Sequence, residues 1–201
     1  MGNLVGGFFM LGFLGWMVFS PVPTEEDEFD GYVVDKRPLN RWAMVALIVV
    51  CMQILLGGLT SANFAATSCT TLPDCQGSWL PGPALGKALD MSRQQVIDEH
   101  GRAVGGAERT AIHKTHRLGA LLALAVSLAA GFVALRSGSG FRTVGVIIVV
   151  LVVVEFSVGI AAVLTRLPIG LAVAHNSLAA LLVLSLLLLL ALNRVPRAIE
   201  Q

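Results

Sequence analysis

Charge is scarce in this chain. Only 13% of its residues are Asp, Glu, Lys or Arg and the net charge is +1, so there is no electrostatic footprint for nucleic acid. Aromatic residues, at 6%, are too few to suggest base-stacking platforms. There is no phosphate-cradling glycine loop, no nucleophile elbow and no pair of catalytic carboxylates. The opening segment Met1 to Gly6 lacks the Ser or Thr that myristoylation requires at its sixth position. No basic stretch precedes the apolar run that starts at Leu4, so that run reads as a retained span rather than a cleaved signal.

What is present is apolar: 55% of the residues are hydrophobic and the mean hydropathy is +0.77, well outside the range of soluble domains. Five stretches stand out: Leu4 to Phe19, Trp42 to Leu59, Ala111 to Leu135, Val144 to Leu164 and Leu171 to Leu192. The last four are long enough to cross a bilayer; the first is rich in glycine and marginal by length. The expected fold is an all-α polytopic membrane protein with an N-terminal transmembrane helix and cytoplasmic connector over 1–41. A four-helix transmembrane bundle over 42–192 follows, with a cytoplasmic tail over 193–201.

Lys and Arg in the connectors set the orientation. Lys36, Arg37, Arg41, Arg136, Arg142, Arg194 and Arg197 lie at one set of helix ends, which is assigned to the cytoplasm. The other side receives Arg166 and a loop over 61–110 in which acidic residues offset the basic ones. Glu25 to Asp30 reads as a solvated connector. Arg109, Lys114 and Arg117, at the outer edge of the third span, run against the positive-inside rule and so ask for an anionic partner.

A weak repeat links the four main spans. Gln53 and Gly57 in the second match Glu155 and Gly159 in the fourth; Leu118-Gly-Ala-Leu-Leu-Ala-Leu124 in the third echoes Leu178-Ala-Ala-Leu-Leu-Val-Leu184 in the fifth. Just before each echo stands a histidine, His116 or His175. Each lies about 30 Å along its helix from the arginine that closes its span, Arg136 or Arg194. Two related hairpins with histidines at equal depth predict that the third and fifth spans come together around one shared ligand.

Intramembrane ionisable groups are costly and usually functional, which leaves His113, His116, Glu155 and His175. Two imidazoles at matched depth can supply both axial nitrogens to a haem iron, and haem propionates at the membrane edge suit Lys114, Arg117, Arg109 and Arg166. The blander reading is that each histidine merely hydrogen-bonds across helices. His113 is one turn before His116, so a zinc or copper site is conceivable, although further ligands are not evident. Glu155 either relays protons or bonds across to Gln53 at similar depth. Cys69 and Cys75, in the loop assigned as extracytoplasmic, can form a disulfide that braces the loop or exchanges with a partner thiol; Cys51 is a small apolar filler.

Several of these segments in order resemble the haem A synthase family, and specifically its C-terminal half: Gln53-Ile-Leu-Leu-Gly-Gly-Leu59, Cys69 to Cys75 with Gln76-Gly-Ser-Trp-Leu-Pro81, His113-Lys-Thr-His-Arg-Leu-Gly119, and Leu167-Pro-Ile-Gly-Leu-Ala-Val-Ala-His-Asn176. The family's members have eight spans in two pseudo-symmetric halves and oxidise a methyl group of haem O to the formyl group of haem A. The resemblance implies a haem b held by His116 and His175, with haem O and haem A as substrate and product. It implies a bacterial plasma-membrane location and leaves a quinone as a candidate electron acceptor.

In the family's first half, a glutamate three residues before the first histidine is implicated in catalysis. Here that relative position is His113, a candidate proton relay with Glu155, which stands where the family usually has glutamine. The chain is expected to begin where a first half would end, as part of a longer or split enzyme, as a half-length relative with a narrower role, or through truncation, with a missing N-terminal half or a second copy of the chain as partner. Two further readings stay open: a bis-histidine cytochrome that only transfers electrons, and a quinone-linked thiol oxidase using Cys69 and Cys75.

Overall fold

The computed structural model describes residues 2–20, 37–90, 97–100 and 106–193. Lys36, the acidic run Glu25 to Asp30, Arg93, Arg102, Arg194 and Arg197 lie outside the described residues, as does the Arg37 side chain. Six helices follow one another: α1 (Gly2–Phe19), α2 (Arg37–Ala62), a short α3 (Ala84–Ala88), α4 (Ala107–Arg136), α5 (Ser139–Leu164) and α6 (Ile169–Leu192). Five of these, all but α3, are long and apolar enough to cross a membrane. The chain is therefore an all-α, multi-pass membrane protein.

Most helices start earlier than the apolar runs: α2 at Arg37, α4 at Ala107 and α5 at Ser139. Polar first turns belong to the helix because a chain entering lipid must already satisfy its own N–H and C=O groups. Glu108 in the first turn of α4 and Arg136 in its last complement the helix dipole. Five side-chain hydroxyls within the spans are satisfied locally: Thr60, Thr115, Ser157, Ser177 and Ser185 each donate to the carbonyl four residues back. Large apolar side chains face outward, among them Phe13 and Met17 on α1, Ile48 on α2, Phe132 on α4 and Val150 on α5, as lipid contact requires.

Helices α2, α4, α5 and α6 close a ring in which each packs on its two neighbours, so α4 and α6 stand diagonally across the bundle. The two histidine helices thus face each other without being nearest neighbours. Helix α1 lies outside the ring, mainly against α6, where Gly12 and Gly15 admit Leu184 and Leu187.

The main core fills the end of the bundle that holds the start of α2, the α4–α5 turn and the end of α6. It contains Ala43, Val50, Ala130, Ile148, Leu186 and Leu189. A second, smaller core of Leu59, Ala65, Ala88 and Ile112 seals the opposite end beneath the loop. Between the two lies the histidine layer.

Gly131 and Gly145 let α4 and α5 touch backbone to backbone: a Cβ on Gly145 would sit 2.8 Å from the Gly131 carbonyl oxygen and 3.0 Å from the Leu135 nitrogen. Neither atom can move aside as a side-chain tip would. Gly145→Leu is expected to destabilise the bundle by about 1–3 kcal/mol through overpacking, read as a lower Tm in detergent. An unchanged Tm would show that the two helices part without cost.

Candidate functional site

Each histidine is seated by the helix before it in the same way. His116 on α4 rests over Gly57 of α2, where a Cβ would stand 3.3 Å from His116 Cε1; His175 on α6 rests over Gly159 of α5, where a Cβ would stand 3.2 Å from His175 Cε1. One turn before each glycine is a polar side chain that meets the ring. Gln53 Nε2 lies 3.0 Å from His116 Nδ1 and also donates to the His116 carbonyl at 3.0 Å. Glu155 Oε1 lies 3.0 Å from His175 Nδ1, off the axis of a ring N–H bond.

The sequence repeat is therefore a structural one, a polar residue and a glycine four apart cradling one imidazole. This corrects the expectation that Glu155 bonds across to Gln53. Equal depth placed the two at one level, but helix rotation turns each toward a different histidine.

His116 and His175 stand on diagonal helices, each resting on the glycine of the helix before it. Gln53 Oε1, Glu155 Oε2 and His175 Nδ1 are buried with no hydrogen-bond partner, as is His113 Nδ1 one turn away. Buried polar atoms are normally satisfied, so several orphans at one level of a bundle mark a place shaped for a polar ligand. The His175 side chain is 33% exposed, which leaves its ring reachable. Gly119 contributes by absence: a Cβ there would collide with Gln53 Oε1 and stand 3.1 Å from Leu56 Cδ1, so only glycine lets Gln53 reach the ring.

Gly57, Gly119 and Gly159 are site residues that the sequence reading used only as repeat markers or motif letters. The signal that could have found the first and last was their fixed spacing from Gln53 and Glu155.

His113 is buried one turn from His116 and meets the backbone of Ala65. Among the described residues no three His, Cys, Asp or Glu side chains converge as a metal cluster, so a zinc or copper site built on His113 and His116 lacks its further ligands. A haem needs only two protein ligands.

At the outer edge, Arg117 is committed to the loop. Its Nη1 donates to the Thr71 carbonyl at 2.8 Å and the Asp74 carbonyl at 3.1 Å, and its Nη2 donates to the Cys69 carbonyl at 2.7 Å, leaving buried Nε without a partner. Arg109 likewise holds the end of α2 through the carbonyls of Asn63 and Phe64. Lys114 lines a small recess with Arg117, Pro73, Asp74, Cys75, Ser78 and Trp79.

Arg166 is exposed in the α5–α6 turn at φ 59°. It occupies the left-handed position of a Schellman cap, with Leu167 N–H donating to the Ala162 carbonyl at 2.7 Å. Glycine would be less strained there. Cys69 and Cys75 are joined in a disulfide, 0% and 1% exposed. Exchange with a partner thiol needs an accessible sulfur, so the burial favours bracing.

Five membrane-length helices, with two histidines on diagonal helices each seated over a glycine, define a class of multi-pass membrane protein. The chain belongs to the COX15-CtaA family of cytochrome oxidase assembly proteins, which it matches over residues 1–187. It is 34% identical over 193 residues to a protein of Shewanella oneidensis named heme A synthase, covering 92% of this chain and 55% of that one. Proteins of the same name from Rhizorhabdus wittichii and Granulibacter bethesdensis are 29% and 27% identical, covering 92% and 83% of this chain and 48% and 40% of their own lengths. The chain thus spans about half the length of these relatives. No solved structure matches it.

Proposed function

We propose that the bundle binds haem b between His116 and His175 and handles electrons for a haem A synthase reaction, the oxidation of the haem O methyl group to formyl. The observation that carries this reading is the duplicated cradle: two imidazoles on diagonal helices, each backed by a glycine and oriented by a polar side chain. Two-fold repetition of a costly intramembrane arrangement is hard to explain for histidines that only bond across helices. When bound, haem supplies reversible one-electron storage at its iron.

The chain's own residues do the rest. His116 and His175 offer nitrogens from opposite walls. Gln53 bonds one ring and Glu155 lies 3.0 Å from the other, and the packed core below excludes water. Lys114, Arg166 and the remaining Nε of Arg117 are the cations for the propionates. A methyl becoming a formyl takes its oxygen from water and gives up four electrons and four protons, which two membrane quinones, each reduced to a quinol, would take up. The family's bacterial members support a plasma-membrane location, with the Cys69–Cys75 loop on the extracytoplasmic side.

The test is haem retention by the purified full chain. The wild type is expected to carry haem b, and His116→Ala and His175→Ala are each expected to lose most of it while remaining helical by circular dichroism. Haem retained unchanged in both variants would overturn the ligand assignment. Pigment extraction from cells in which this chain is the sole candidate haem A synthase separates electron handling alone from complete conversion of haem O to haem A.

A further inference from the structure

We infer that Glu155 makes the two axial imidazoles electronically unequal and lowers the reduction potential of the iron they hold. The inference rests on the haem reading above and goes beyond it by assigning a potential-setting role to a residue that touches only a ligand.

The two cradles share the glycine beneath the ring and differ in the polar side chain one turn before it. A histidine bound through Nε2 carries its proton on Nδ1 and needs an acceptor there. Glu155 already presents an oxygen to His175 Nδ1 at 3.0 Å. Gln53 presents its amide nitrogen, a donor, to His116 Nδ1 at the same distance, and that nitrogen is also tied to the His116 carbonyl. Gln53 can serve the ligand form of His116 only by turning its amide, and then as a neutral acceptor. Glu155 thus needs only a realignment to accept from His175 Nδ1, whereas Gln53 must turn its amide over.

A carboxylate that accepts from an axial imidazole draws its proton away and makes the ring a stronger donor, and its negative charge stabilises the ferric over the ferrous state. Among the described residues His175 is the ion-pair partner of Glu155, and the other carboxylate oxygen is buried without a hydrogen bond, so no second partner diverts the charge from the ring. A lowered potential suits an iron that must release each electron onward rather than hold it.

The experiment is a redox titration of the detergent-solubilised, haem-loaded full chain, followed by absorbance. Glu155→Gln, which copies the other cradle, is expected to raise the ferrous-to-ferric ratio at fixed ambient potential by at least tenfold, or 59 mV for one electron. Gln53→Glu is expected to move it the opposite way. Electron paramagnetic resonance tests that both variants stay low-spin, which a loss of packing would not preserve.

An unchanged potential in Glu155→Gln with the low-spin signal intact overturns the inference. If that variant releases its haem, Glu155→Asp takes its place; retracting the carboxylate must then raise the potential, and no shift overturns the inference equally. A wild type without haem sinks the preceding reading instead, so the two failures are distinguishable.

Discussion

Replacing Gly159 with valine is expected to empty the site while leaving the bundle standing. A Cβ at this position already stands 3.2 Å from His175 Cε1 and 3.7 Å from Nδ1, and valine adds two methyl groups beyond it. The imidazole cannot share that space. It must swing off its rotamer, which breaks the contact with Glu155 and moves Nε2 away from any ligand facing His116. Gly57→Val should do the same to His116, whose Cε1 is 3.3 Å from the equivalent point.

Metal coordination tolerates displacements of only a few tenths of an ångström, so each variant should lose more than nine-tenths of its haem. Gly86→Ala is the control, since nothing lies within 4 Å of a Cβ there. Haem content per protein, measured by pyridine haemochrome, checks the prediction. Full occupancy in either valine variant would mean that the cradles do not seat the rings.

Arg117→Ala is expected to have the largest effect on stability of any single change at the outer edge. One guanidinium holds three carbonyls of the Cys69–Cys75 loop from a helix that also carries His116. Bonds from a charged donor contribute roughly 1.5–3 kcal/mol each, and the exposed one to Thr71 belongs at or below the lower end. Two part-buried bonds therefore put the loss at about 3 kcal/mol. Because the disulfide keeps the loop covalently closed, the helices should persist while the loop lifts. The measurable signs are faster proteolysis within the loop and easier reduction of a disulfide whose sulfurs are now buried. Unchanged protection in Arg117→Ala would show that the hydrogen bonds are incidental to the closed loop.

Much of this was legible in the sequence, and the parts that were not share a physical cause. Hydropathy over about twenty residues marks a span whatever its neighbours are, so the spans and the common depth of His116 and His175 could be read from a single row of letters. Depth is one coordinate. The rotation of each helix about its own axis is fixed by side-chain packing, and that is why Glu155 turned out to meet His175 while Gln53 meets His116. The repeat contained this answer, since Gln53 and Gly57 stand to one histidine as Glu155 and Gly159 stand to the other, but spacing alone did not say which ring each pair approaches.

Arg117 illustrates a second limit. A cation at the membrane edge calls for an acceptor, and sequence can suggest an anion, whereas a folded loop offers backbone carbonyls that no motif records. Arg166 illustrates a third. Nothing in the letters announces that an arginine, and not a glycine, will take the left-handed position that ends α5.

Electron paramagnetic resonance of the oxidised, purified full chain bears most directly on the paired-histidine site. The expected spectrum is that of a low-spin ferric haem with two imidazole ligands, lost when either His116 or His175 is replaced by alanine. A high-spin spectrum in the wild type, or a low-spin spectrum that survives both replacements, would contradict it.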